Sequence, residues 1–235
     1  MTGPSSSPVR GVRRVELTTA DPEPVADFYA HLLGWVVIAE PGGVFSGWVG
    51  DRLAVRVLPG GDGFRVVFAG PDPRGLRDGA AVDRGRVLHG PWAPPPRAGE
   101  PCWAEFSATS PVVSSDTPSG TSSDTPFGAD DDYWTGELGW RCRTPDEPYT
   151  VYDTAAEQRA VAGRLAGEGD QRWTCFFAVP DTDKTAAVAA ETGGRVVVPP
   201  GERPTGRVAV LEDPSGARFA VLQDPAGWGG AWHTP

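Results

Sequence analysis

The stretch RVELTTADPEPVADFYAHLLGW, residues 14–35, changes period in its middle. In its first half Val15 and Leu17 alternate with Arg14, Glu16 and Thr18, the two-residue period of a half-buried strand. After Pro22 the apolar residues fall at Val25, Phe28, Tyr29, Leu32 and Leu33, the spacing of an amphipathic helix. Asp21 stands where a helix N-cap belongs, Pro22 suits the first helical position, and Gly34 is placed to end the helix. A strand feeding directly into a capped helix is therefore predicted.

The strand half recurs. RVVFAGPD (65–72), WAEFSATS (103–110) and TCFFAVPD (174–181) share its pattern, with apolar residues at the second and fourth positions and a closing Asp or Ser. After the first copy, strands are expected near 36–40, 44–49 and 53–58, which makes a βαβββ module. After the fourth copy, TDKTAAVAAETGG reads as a helix stopped by Gly193 and Gly194. RVVV (195–198), GRVAVL (206–211) and ARFAVL (217–222) follow as strands, with the turn Asp213-Pro214-Ser215-Gly216 before the last. In the third module GELGW (136–140) echoes HLLGW (31–35) and predicts a shortened helix, with later strands at YTVYD (149–153) and QRAVAGRL (158–165). The second module is eroded: a good strand, a helix expected around 74–84, and a strand at RVLHG (86–90).

Two domains follow, at 10–98 and 99–225, divided at the Pro-rich PWAPPPRAGEP. Residues 1–9 are expected to be a disordered N-terminus and 226–235 a tail. The Ser/Thr/Pro/Gly/Asp-rich segment 111–129 contains SSDTP twice and is expected to be a mobile insert, since it has little apolar surface to bury. The expected fold class is α+β, with tandem βαβββ modules forming two concave sheets, or partial barrels, and the second module degenerate.

Composition narrows the function. A net charge of −10 argues against nucleic-acid and anionic-membrane partners, both of which need clustered Lys and Arg. Cys102, Cys142 and Cys175 are odd in number and make no C-x-x-C pair, so neither a disulfide framework nor a zinc site is indicated. The first residues lack an apolar leader and no 18-residue apolar run occurs, so a cytoplasmic protein is expected, as monomer or homodimer.

The helix ending in F-Y-x-x-x-x-G-W, the repeated strand and the D-P-x-G turn before the last strand resemble the vicinal oxygen chelate superfamily of glyoxalases, bleomycin-resistance proteins and extradiol dioxygenases. PCWAEFSAT, CFFAVPDTDKTAAVAAETGGRVVVPP and GRVAVLEDPSGARFAVLQ look more narrowly like tandem glyoxalase-like proteins of actinobacteria, of the kind labelled "hydroxylase". The resemblance implies a concave sheet lined by alternate residues of each repeated strand. In metal-using members the first position of that strand and a carboxylate on the closing strand supply the ligands. Here those positions hold Arg14, Arg65, Trp103, Thr174 and Ala220, none of them an ordinary ligand for a divalent metal. No metal and no cofactor is expected. His31, His89 and His233 offer no H-x-H or H-x-x-x-H spacing.

Alternation then gives the candidate cavity residues. Glu105 is the candidate acid or base, and Glu16, two residues from Arg14 on the same face, the weaker one. Trp103, Arg14, Arg65, Ser107, Tyr149, Tyr152, Thr174 and Phe176 are the candidate ligand contacts. An oily concave site with a few polar groups suits an apolar, aromatic small molecule. The two functions that fit are metal-free binding of such a molecule, as in natural-product sequestration or handling, and a metal-independent isomerase, cyclase or lyase using a cavity carboxylate.

Overall fold

The computed structural model describes residues 9–61, 63–109, 127–167 and 172–223. The first repeat forms β1 (Val12–Thr19), α1 (Pro22–Leu33), β2 (Val36–Glu40), β3 (Val44–Val49) and β4 (Arg52–Pro59). The second forms β5 (Gly63–Ala69), β6 (Arg74–Gly75) and β7 (Ala80–Asp83). The third gives β8 (Pro101–Thr109), α2 (Gly128–Leu138), β9 (Trp140–Cys142), β10 (Tyr149–Thr154) and β11 (Ala160–Gly167). The fourth gives β12 (Arg172–Val179), α3 (Thr182–Glu191), β13 (Arg195–Arg203), β14 (Gly206–Glu212) and β15 (Arg218–Gln223).

Modules pair into sheets by one rule. Each module's first strand lies parallel to its last (β1 with β4, β5 with β7, β8 with β11, β12 with β15), and first strands pair antiparallel across modules (β1 with β5, β8 with β12). A seven-stranded sheet ordered β2-β3-β4-β1-β5-β7-β6 and an eight-stranded sheet ordered β13-β14-β15-β12-β8-β11-β10-β9 result. This is the expected α+β arrangement of two concave, unclosed sheets.

The local signals explain most elements. Gly34 and Gly139 end α1 and α2 in the left-handed conformation, at φ 73° and 68°, where a side chain would be strained. Asp181 caps α3 by accepting the Lys184 backbone N–H at 2.9 Å.

Several expectations are corrected. The helix expected around 74–84 is absent. Asp78 and Gly79 take positive φ (54° and 73°), which breaks any helix there, and Ala80–Asp83 instead runs beside β5. RVLHG forms no strand: the Leu88 and His89 N–H groups both donate to the Val12 carbonyl, leaving one isolated bridge. Val9, expected in a disordered N-terminus, is buried; its N–H donates to the Leu138 carbonyl at 3.0 Å and its carbonyl accepts from Trp140 Nε1 at 2.6 Å. α2 is not shortened, and it takes up Gly128 and Ala129, the end of the expected insert. The rest of that insert, to residue 126, residues 1–8 and the tail lie outside the described residues.

Two cores form. The larger lies on the helix-bearing faces of both sheets and joins them: Val15, Leu17, Val66 and Phe68 from the first meet Phe106, Phe177, Phe219 and Val221 from the second. Tyr29 of α1 stacks on Trp35 and meets Phe219 edge-on, with ring centroids 4.9 and 5.2 Å apart. Its hydroxyl donates to Asp213 at 3.0 Å, and Trp35 donates to the Gly99 carbonyl at 2.8 Å, so polar bonds also cross the junction. The smaller core sits on the opposite, concave face of the second sheet, around Trp103, Phe176, Val208, Ala220 and Leu222. Among the described residues no helix is long and apolar enough to cross a membrane.

Candidate functional site

The two concave faces differ in kind. On the first sheet, alternation turns Arg14 and Glu16 of β1 toward Arg65 of β5, Arg56 of β4 and Asp83 of β7. Arg14 Nε donates to Glu16 at 2.6 Å and its Nη1 reaches Asp83, while Arg65 stands 3.8 Å from Glu16. Arg56 pairs with Glu40 at 3.1 Å, and Ser46 donates to the same carboxylate. Glu16 is thus held by arginines, and the Arg14 side chain, though partly desolvated, is held charged by Asp83 and Glu16. This face is an ion-pair lattice in which, among the described residues, Glu16, Glu40 and Asp83 are each paired with arginine.

The second sheet carries a cavity of about 280 Å³. Its wall includes Glu105 and Ser107 of β8, Thr174 and Phe176 of β12, Leu165 of β11, Val210 of β14, and Arg203 at the end of β13. The register explains the convergence: Glu105 lies between Gly163 on one neighbouring strand and Thr174 on the other. Glu105 is 4% exposed. Burial pushes its carboxyl up to about 7, against the opposing pull of Trp103, Arg203 and Tyr149. Trp103 Nε1 donates to it at 3.1 Å, and the buried Tyr149 hydroxyl lies against it without a regularly formed hydrogen bond. Burial, then the Glu105 carboxylate, raises the Tyr149 hydroxyl far beyond physiological pH.

Gly163 makes room for this group. A Cβ there would stand 2.9 Å from Glu105 Cγ, 3.2 Å from Trp103 Nε1 and 3.3 Å from Tyr149 Oη. Only a residue without a side chain lets the three meet over β11.

The sequence-derived candidates therefore divide. Glu105, Ser107, Thr174 and Phe176 share the second cavity, and Tyr149 and Trp103 stand behind Glu105. Trp103 is 2% exposed and packed in the smaller core, so it supports the carboxylate and has no open face on which a ligand could stack. Arg14, Arg65 and Glu16 belong to the other sheet. Tyr152 points to the helix side, where it donates to Asp131 of α2 at 2.6 Å. Arg203 escaped the sequence reading because Pro199-Pro200-Gly201 looked like the end of a strand. β13 continues through these prolines because it is an edge strand, where a missing N–H leaves no neighbour unpaired.

The family metal positions can be tested by their chemistry. Two guanidinium groups, an indole, a hydroxyl and a methyl group stand at Arg14, Arg65, Trp103, Thr174 and Ala220. In the second sheet Trp103, Phe176 and Ala220 are lined up across three strands, an apolar row where a metal would need nitrogen or oxygen donors. Among the described residues no group of three or more His, Cys, Asp or Glu side chains is arranged to hold a metal ion. The residues present do not fit the metal of this fold.

Comparison with known proteins agrees with the architecture. Residues 11–221 match the Glyoxalase/Bleomycin resistance protein/Dioxygenase superfamily. The 2,3-dioxygenase LapB from Pseudomonas sp. KL28 superposes with a TM-score of 0.56 at 11% identity, covering 93% of each chain. The Mn(II)-bound glyoxalase from Novosphingobium aromaticivorans gives 0.57 at 11% identity, over 94% of this chain and 84% of the other. Among curated proteins, the putative glyoxylase CFP32 of Mycobacterium tuberculosis is 54% identical over 49 residues, 20% of this chain and 19% of that protein. The anthracycline biosynthesis protein DnrV of Streptomyces peucetius is 28% identical over 142 residues, 52% of this chain and 46% of that protein. The chain thus spans less than half the length of either curated relative.

Proposed function

Because the chain belongs to the glyoxalase/bleomycin resistance protein/dioxygenase superfamily, we propose that it uses the fold without a metal, to bind an apolar, aromatic small molecule in the cavity of the second sheet. The observation behind this is the cavity wall: Leu165, Phe176, Val197, Val198 and Val210 surround a few convergent polar groups, the usual composition of a small-molecule site. The partial relatives named for anthracycline biosynthesis support natural-product sequestration or handling as the setting. The test is a tryptophan-fluorescence titration with a panel of aromatic metabolites, with and without EDTA. Saturable one-to-one binding that ignores EDTA and weakens at least tenfold in the cavity-filling variant Thr174→Phe is expected. A panel without saturable binders, or binding indifferent to Thr174→Phe, would refute the proposal.

A second reading, a metal-independent isomerase, cyclase or lyase, is favoured by one specific observation. Glu105 lies at the cavity with its carboxyl at about 7, where both protonation states are accessible for general acid–base work. Glu105→Gln separates the two. A pure binder loses about 1 kcal/mol of affinity or less, whereas an enzyme keeps its affinity and loses roughly a hundredfold or more in turnover.

A further inference from the structure

The cavity of the second sheet is cationic within an acidic protein. Against a chain of net charge −10, its wall carries the guanidinium groups of Arg203 and Arg218 and one carboxyl group, that of Glu105; Arg172, also on the wall, already has a partner of its own. Arg218 is neutralised from outside the cavity by Glu212 at 2.8 Å, and Glu212 is also paired with Arg195. Arg203 is different. It is half-buried, and among the described residues its guanidinium forms no ion pair and no hydrogen bond; Glu105, on which its charge acts, lies beyond salt-bridge distance. No Arg203 nitrogen is a buried, unpartnered atom, so its N–H groups are open to solvent on the cavity wall and are available to an acceptor on a ligand.

We infer that the second-sheet cavity takes an apolar monocarboxylate, with the carboxylate on Arg203 and the apolar body against Phe176, Val198 and Val210. This rests on the binding proposed above for the same site and narrows its ligand class. A guanidinium presents a planar fork that matches the two oxygens of a carboxylate, a geometry an ammonium does not reproduce. The hydroxyls of Ser107 and Thr174 supply further donors on the same wall. The volume, about 280 Å³, is just below the range of roughly 300–1,000 Å³ usual for ligand pockets, so a one- or two-ring acid fits where a larger molecule would insert only one end.

The experiment compares 2-naphthoate with 2-naphthamide, alike in shape and different in charge, by calorimetric titration of the full chain. For the unaltered protein, the acid is expected to bind at least tenfold tighter than the amide. Arg203→Gln should erase that preference while leaving amide affinity within about twofold, and Arg203→Lys should restore part of it. Arg207→Gln, which removes a surface pair with Asp183, should change neither. Thermal melts of each variant establish that the fold is kept. Equal affinity for acid and amide, or a preference that survives Arg203→Gln, overturns the carboxylate assignment while leaving apolar binding intact. If neither compound binds, or if Thr174→Phe leaves both affinities unchanged, the cavity itself is wrong and both proposals fall.

Discussion

At the scale of single residues, the second concave face depends on what each strand position carries. Glu105 was legible because alternation alone assigns residues 103, 105 and 107 to one face, and its burial among apolar neighbours follows from the pattern around it. Gly163 was not legible. Nothing in QRAVAGRL distinguishes a glycine that makes room from one that merely bends a strand, because the reason lies on the adjacent strand. Gly163→Ala should destabilise the fold by about 1–3 kcal/mol through overpacking and displace the Glu105 carboxyl, both measurable by urea denaturation and by carboxyl titration in NMR. Two buried groups give opposite pH effects. Burial holds Glu105 at about 7 against 4.5 in the unfolded chain, so between these values the unfolded state releases a proton that the folded state keeps. Stability therefore falls as pH rises from 4.5 to 7, by up to about 3 kcal/mol, and Glu105→Gln should remove this slope. Burial likewise depresses His89, its Nε2 2.9 Å from the Leu53 carbonyl, to about 4 from 6.5. Here the unfolded state takes up a proton that the folded state refuses, so stability is lost as pH falls from 6.5 to 4. Replacing His89 by Gln should flatten the acid limb of the same denaturation series.

At the scale of elements, α1 and α2 reach similar lengths by different physics. α1 docks through an apolar stripe, Val25, Phe28, Tyr29 and Leu33, which is why its place was readable from spacing. α2 has no such stripe. It is fastened by Asp131, which takes both Nε and Nη2 of the fully buried Arg164 at 3.2 Å as well as the Tyr152 hydroxyl. Trp134 adds edge-to-face contacts with Phe106 and Trp173, with centroids 5.1 and 5.0 Å apart. A polar anchor leaves no periodic trace, so the helix showed in sequence only through its GELGW ending and was expected to be shorter than it is. Asp131→Ala strands a buried guanidinium and should cost about 3–5 kcal/mol, read from chemical denaturation, with loss of far-UV helical signal preceding that of the sheets if α2 detaches first. The second module failed in the other direction. Its residues 74–84 pack Ala80, Ala81 and Val82 inward, which resembles helix-forming sequence, yet positive φ at Asp78 and Gly79 commits the chain to a turn and a short strand.

For the whole molecule, the decisive feature is that the sheets meet through their helix-bearing faces and open their concave faces outward. The strands before and after the Pro-rich stretch form separate sheets, but the contact between the sheets was not readable, because it joins residues far apart in the chain: Tyr29 with Asp213, Trp35 with Gly99, Phe68 with Trp173. One cooperative unfolding transition is expected, with near-UV dichroism, tryptophan emission and calorimetry coinciding. Tyr29→Phe should lower its midpoint without splitting it, at a cost of about 1–3 kcal/mol for the buried Asp213 acceptor left behind. Two separated transitions would show that the halves stand alone. The missing helix of the second module bears on this too. The segment expected to form it is held instead by α2 of the other half, with Arg74 bonded to Glu137 at 3.2 Å and the Arg77 guanidinium stacked 4.1 Å above Tyr133. Recombination between members of this superfamily is constrained as a result. A chimaera whose first half came from elsewhere would have to reproduce these contacts with α2, so the eroded module and α2 are expected to be inherited as a pair.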